Sequence, residues 1–168
     1  MKQKSFKAVK RKNSLAAVLK KCRLSSSAIL ALNVQSIQQI EIISALCSKL
    51  EQEIIIQFSA KYISYFEKMI GIEQIIKKYS QNEYLYFHLD HCTDKNLITK
   101  CINWGFDSVM YDGSKLSVRE NISNTKIIVS LAHSAGVLVE GEIGVVGGVE
   151  DGFGEEGSTV FDIDDAIL

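Results

Sequence analysis

The residues best equipped for chemistry stand at the ends of apolar runs. Tyr84-Leu85-Tyr86-Phe87 leads directly into His88-Leu89-Asp90-His91-Cys92, which sets a carboxylate beside imidazoles and a thiol. Two later runs also end in acids: Phe106 to Tyr111 leads into Asp112-Gly113-Ser114, and Gly136-Val137-Leu138-Val139 leads into Glu140-Gly141-Glu142. Imidazole and carboxylate together are potential ligands for a metal ion. A carboxylate at a strand end is costly to desolvate unless it binds a cation, joins a hydrogen-bond network or transfers protons. Strand alternation places His88 and Asp90 on one face, and a turn just after the strand brings His91 to the same opening. Asp90 is therefore a candidate acid or base, and the cluster reads as half of a metal site. Plainer roles stand beside these. Asp112 in Asp-Gly-Ser suits a turn, Glu140 suits a strand-end ion pair, and His133 lies inside a helix pattern closed by Gly136. Cys92 is a soft-ligand candidate, but Cys22, Cys47, Cys92 and Cys101 form no C-x-x-C pair and read as reduced thiols.

The elements that must position these residues follow from periodicity. Asn13 or Ser14 can cap a short helix from Leu15 to Leu24, and a strand and helix alternation begins at Ser27. Strands are predicted at Ala28–Leu32, Ile54–Phe58, Leu85–Leu89, Val109–Tyr111 and Val137–Glu140. Between them, Ser36 caps a helix with Ile37, Ile40, Ile43, Leu46, Cys47 and Leu50 on one stripe. A longer helical segment, Tyr62 to Tyr79, is interrupted at Gly71; Asp94 caps a helix ending at Gly105, and a long helix runs from Val118 to Ser134. Strands apolar on both faces and separated by amphipathic helices indicate parallel pairing, hence an α/β fold. Polar residues follow every strand: Asn33, Ser59, Asp90 with His91, Asp112 and Glu142. A doubly wound sheet gathers its site at one switch point, whereas a barrel gathers many strand ends at one mouth, so a barrel is favoured. No G-x-G-x-x-G follows the first strand, which argues against a dinucleotide site.

With 168 residues and 46% hydrophobic content, the chain can build one domain with a true core. No apolar run approaches the roughly 20 residues that span a bilayer, and no secretory signal pattern opens the chain, so a cytoplasmic protein without membrane partners is expected. The formal net charge of -1 hides an asymmetry: residues 1 to 24 hold nine Lys or Arg and no acid, leaving ten basic against twenty acidic residues. Residues 1–13 read as a solvated basic extension. Its lysines lack interleaved aromatics apart from Phe6, which argues against nucleic acid as a partner. Gly144, Gly147, Gly148, Gly152, Gly154 and Gly157 lie among Glu150, Asp151, Glu155 and Glu156. This reads as a mobile acidic loop able to carry Glu150 over the mouth as a lid.

Taken together, His88-Leu89-Asp90-His91, Gly105 to Ser114, Glu120-Asn121, Ala132-His133-Ser134-Ala135-Gly136-Val137, and Val139 to Gly144 with Gly147-Gly148-Val149-Glu150-Asp151 resemble the class II, zinc-dependent ketose-bisphosphate aldolases. Ala31-Leu32-Asn33 and Gln57-Phe58-Ser59 resemble the first two strand ends of that family, so the likeness runs from about Ser14 to the last residues. It implies an incomplete (β/α)8 TIM barrel over residues 14–168, with about five parallel strands and their helices. It further implies reversible cleavage of fructose or tagatose 1,6-bisphosphate to dihydroxyacetone phosphate and glyceraldehyde 3-phosphate. His91 would ligate a zinc that acts as Lewis acid on the ketone. Asp112 and Glu142 would serve a second or alternative metal position, including a second divalent or a monovalent cation. Asp90 would shuttle the proton of the aldehyde-side hydroxyl, Glu150 would act in proton transfer, and Asn33 and Ser59 would line the substrate pocket. Two further zinc histidines and a phosphate-gripping loop, which the family carries on strands six to eight, have no match here. The chain is thus expected to be an N-terminal part, served by a complementary C-terminal half or a homo-oligomer; the alternative is a non-catalytic relative acting as a binding or assembly module.

Overall fold

The computed structural model describes residues 13–144, together with the backbone of residues 148–150 and 153–155. The basic stretch 1–12 lies outside the described residues. In chain order the elements are α1 (Leu15–Leu24), β1 (Leu30–Asn33), α2 (Ile37–Leu50), β2 (Ile54–Ser59), α3 (Ala60–Met69), α4 (Ile72–Tyr79), β3 (Leu85–Cys92), α5 (Lys95–Trp104), β4 (Ser108–Tyr111), α6 (Val118–Ser134), β5 (Leu138–Gly141), β6 (Gly148–Glu150) and β7 (Phe153–Glu155). The first five strands form one parallel sheet in the order β1-β2-β3-β4-β5. Strand order that follows chain order without reversal belongs to a barrel section, because a doubly wound sheet must reverse at its switch point. Within the glycine-rich acidic segment, β6 and β7 pair antiparallel, Val149 opposite Gly154; Gly147, Asp151, Gly152 and the side chain of Glu150 lie outside the described residues.

Local chemistry explains most boundaries. Ser14 caps α1 by accepting from the Ala17 amide. Ser36 and Gln39 form a capping box on α2, Asp94 caps α5 by accepting from the Asn96 amide, and Ser117 with Glu120 forms a second capping box on α6. The segment from Ala60 to Tyr79 is two helices: Gly71 sits at φ 79, a left-handed angle that glycine adopts without strain, and the chain restarts at Ile72. The Glu67 carboxylate accepts from the Ile72 amide at 3.1 Å and so replaces one missing helical bond.

The sheet has two buried faces with different occupants. On the outer face, Ile54, Ile56 and Phe58 of β2, Leu85, Phe87 and Leu89 of β3, and Val109 and Tyr111 of β4 pack beneath the helices. Phe58 is the centre of this core, with ring centroids 5.8 Å from Phe66, 5.7 Å from Phe106 and 6.5 Å from Phe87. Truncating it removes three ring contacts at once, so Phe58→Ala should destabilise the fold by about 3–5 kcal/mol, read as a lower urea midpoint at unchanged slope. On the lumen face, α1 lies across the strands. Its Leu15 and Val18 cluster with Tyr86, and Ile29, Ile55 and Leu138 pack against them. The Tyr86 hydroxyl donates to the Asn13 carbonyl at 3.1 Å, which ties the start of the helix to β3.

Candidate functional site

β3 carries the chemistry to the C-terminal edge of the sheet. Its outward residues are Leu85, Phe87 and Leu89, so His88 and Asp90 share the lumen face with Tyr86. Strict alternation would then send His91 outward, under the helices. Instead the pairing of β3 with β4 shifts register between Leu89 and Cys92, and His91 stands at φ 41 in the left-handed region. This bulge turns the imidazole back toward the mouth. The strand accordingly runs on to Cys92, past the predicted end at Leu89.

At the mouth, three chain segments meet around that ring. His91 Nδ1 lies 3.5 Å from Asp112 Oδ2 and 3.2 Å from Glu142 Oε2, while its Nε2 lies 4.0 Å from Asp90 Oδ1. One ligand atom from each of His91, Asp112 and Glu142 falls within 4.8 Å of the other two. Ligands held at zinc–ligand distances of about 2.0–2.2 Å in a tetrahedron stand roughly 3.3–3.6 Å apart. The donor types and the two short separations therefore fit such an ion with little rearrangement. Asp112 is held ready by Ser114, whose hydroxyl and amide donate to Oδ1 at 2.6 and 3.0 Å. Burial pushes the Asp112 carboxyl up, but the Ser114 bonds and then His91 outweigh it, leaving the group below its ordinary pKa and charged. Cys92 takes no part. It is buried on the helix side, donates to the Asp94 carbonyl at 3.5 Å, and burial pushes its thiol up to about 11.

Deeper in the lumen a second polar group appears. The Ser108 hydroxyl lies 2.7 Å from His88 Nδ1, and His88 Nε2 faces Glu140 Oε2 at 3.7 Å and Asp90 Oδ1 at 4.0 Å. Ionised carboxylates only accept, so the imidazole proton belongs on Nε2 and the Ser108 hydroxyl donates to Nδ1. Burial, reinforced by the charge of His91, lowers the His88 pKa to about 4. His88 is thus a neutral fixed donor facing the candidate acid Asp90. It borders a cavity of about 360 Å³ that also meets Leu15 of α1, Ile55, Gln57, Ser108 and Glu140.

Ser59 and Asn33 occupy different settings. Ser59 pairs with Asp90 across β2 and β3, and its buried Oγ has no hydrogen-bond partner among the described residues. Asn33 sits one strand further out, opposite Gln57 on β1, and is exposed. His133 is exposed in the last turn of α6, just before β5 begins, and is not one of the residues that cluster at the strand ends. Sequence reading missed Ser108 and Gln57 as lumen residues. Both stand inside apolar strands, and only the register of β2, β3 and β4 makes them neighbours of His88.

The family model described as fructose-bisphosphate aldolase class II matches residues 13–167. A fructose-bisphosphate aldolase of Ureaplasma parvum is 35% identical over 142 residues, 82% of this chain and 48% of that protein. A 6-phospho-5-dehydro-2-deoxy-D-gluconate aldolase of Shouchella clausii is 33% identical over the same length, with the same coverage of 82% and 48%. The chain spans about half the length of these curated relatives. A solved structure from Coccidioides immitis, described as a fructose-1,6-biphosphate aldolase, superposes with a TM-score of 0.79 at 24% identity, over 93% of this chain and 56% of that one. That likeness bears on the fold.

Proposed function

Since the chain belongs to the class II fructose-bisphosphate aldolase family, we propose that it works in zinc-dependent aldol cleavage and condensation of a phosphorylated ketose. The observation that carries this reading is the convergence of His91, Asp112 and Glu142 beside Asp90 at the C-terminal strand ends. His91 would hold zinc, with Asp112 and Glu142 as further donors or as the site of a second cation. When bound, the metal supplies Lewis-acid polarisation of a carbonyl. Asp90 takes the proton from the hydroxyl on the carbon that becomes the aldehyde, and returns it in condensation. Its side chain is 12% exposed, dry enough to strengthen that transfer and open enough to meet a substrate. Neutral His88 presents its Nε2–H to the Asp90 side of the lumen and, as a neutral group, adds no competing charge. Ser59 offers its Oγ as a hydrogen-bond group for substrate, Asn33 extends the pocket along β1, and Glu150 returns a proton at the dihydroxyacetone carbon.

Fructose and tagatose 1,6-bisphosphate are the proposed substrates, with triose phosphates as products and a cytoplasmic location. Among the described residues no helix is long and apolar enough to cross a membrane. A complementary C-terminal half is proposed as the partner that supplies the family's two other zinc histidines, and association of copies through the open sheet edges is proposed beside it. A non-catalytic assembly role is the second reading. It is favoured by exposed apolar residues on the helices that flank the sheet edges, Ile42, Leu46 and Leu50 on α2 and Ile127 on α6. The test is cleavage of fructose 1,6-bisphosphate by the zinc-loaded chain, alone and mixed with the C-terminal half of the Ureaplasma relative, with Asp90→Asn as control. Cleavage that needs zinc and falls at least a hundredfold with Asp90→Asn supports the enzyme, on the usual scale of general acid–base catalysis, about 10²–10⁴-fold. No cleavage in either arm, together with a stable complex with the added half, supports the assembly role.

A further inference from the structure

Asn121 takes no part in the chemistry above, yet it touches both acid-bearing strand ends. It lies in the first turns of α6, whose start is fixed by the Ser117–Glu120 capping box. Its Nδ2 donates to the Glu142 main-chain carbonyl at 2.7 Å. The Thr125 hydroxyl donates to its Oδ1 at 3.2 Å, which assigns the two ends of the amide. The other contact is steric. Gly113 follows Asp112 directly, and a β-carbon there would stand 2.6 Å from Asn121 Cγ and closer still to Oδ1. Glycine at that position is explained by the approach of Asn121 and, less closely at 3.0 Å, of Tyr111 Cε1, since its backbone angle is not left-handed.

We propose that Asn121 is a positioning residue that clamps the Asp112–Gly113 turn against the Glu142 strand end and so sets the spacing of the two carboxylates around His91. The inference rests on the metal reading above. Outer-sphere partners of this kind typically change metal affinity by about 10- to 100-fold when removed. The amide reaches Glu142 through its main chain and Asp112 through the neighbouring glycine. Neither carboxylate is itself consumed by the contact, so both remain available to a cation.

The test uses the full chain, Zn²⁺ in competition with a chelating indicator, and Co²⁺ as a spectroscopic probe. Asn121→Ala should weaken Zn²⁺ binding about 10- to 100-fold and alter the visible absorption of the bound Co²⁺. Ile98→Val, a core change in α5, lowers stability alone and should leave both readouts unchanged. In metal-free protein, Gly113→Ala should lower the unfolding midpoint in the wild-type background and lower it less on top of Asn121→Ala, because the nearest collision partner is gone and only Tyr111 Cε1, at 3.0 Å, remains. Zinc affinity and Co²⁺ spectrum unchanged in Asn121→Ala, or an additive double-mutant cycle, overturns the clamp. If the wild-type chain binds no Zn²⁺, the metal reading fails, and the metal-free cycle still decides whether Asn121 couples to the turn.

Discussion

Replacing His91 by glycine should remove zinc binding while changing the stability of the fold by no more than about 1 kcal/mol. The two effects separate because His91 is held at φ 41, where a side chain is strained by roughly 1–2 kcal/mol and glycine is not. Relief of that strain offsets the extra freedom that glycine gives the unfolded chain, about 0.5–1 kcal/mol. Binding suffers more. His91 supplies the imidazole that stands 3.2 Å from Glu142 and 3.5 Å from Asp112, so its loss should exceed the roughly hundredfold effect of an outer-sphere change. Indicator competition and urea unfolding of the same samples give both numbers. Retained zinc affinity would exclude His91 as a ligand, and a loss above about 2 kcal/mol would show that the ring holds the strands together.

Acid should weaken the fold through His88 by about 3 kcal/mol between pH 6.5 and 4. The folded-state pKa of about 4 lies below the ordinary 6.5, so the unfolded chain takes up a proton that the folded chain refuses. Nothing is lost well above pH 6.5, where both states are neutral. Stability then falls as the pH drops toward 4, by about 1.4 kcal/mol per pH unit. Asp112 adds a separate loss at more acid pH, because its lowered pKa stabilises the fold only while the carboxylate is charged. Denaturant titrations at stepped pH should show the first decline in wild type, and His88→Gln should flatten it between 6.5 and 4. An unchanged slope in that variant would sink the assignment.

Much of this arrangement was legible in the sequence because it is local. Ser36 and Asp94 announce helix starts, Gly71 interrupts a helical stripe, and runs ending in Asp90, Asp112 and Glu142 mark strand termini on period alone. Strand edges drifted by one to three residues, with β1 starting at Leu30, β5 at Leu138 and β3 ending at Cys92. What could not be read depends on pairing between distant segments. The route of His91 to the mouth is a register shift between β3 and β4, where the expected device was a turn after the strand. Ser108 becomes the partner of His88 only through that same pairing. The position of α1 over the lumen was equally hidden, since its short apolar stripe would serve either face of a sheet.

The seat of α1 also has a consequence for the order of assembly. Leu15 and Val18 rest on Tyr86, with Ile55 and Leu138 packed alongside, so α1 lands on a floor laid by β2, β3 and β5, all of which follow it in the chain. Contacts so distant along the chain pay their loop-closure entropy before any packing rewards it. The helix α1 therefore waits, exposed, until β5 has emerged, and behaves as a closing bolt more than a foundation.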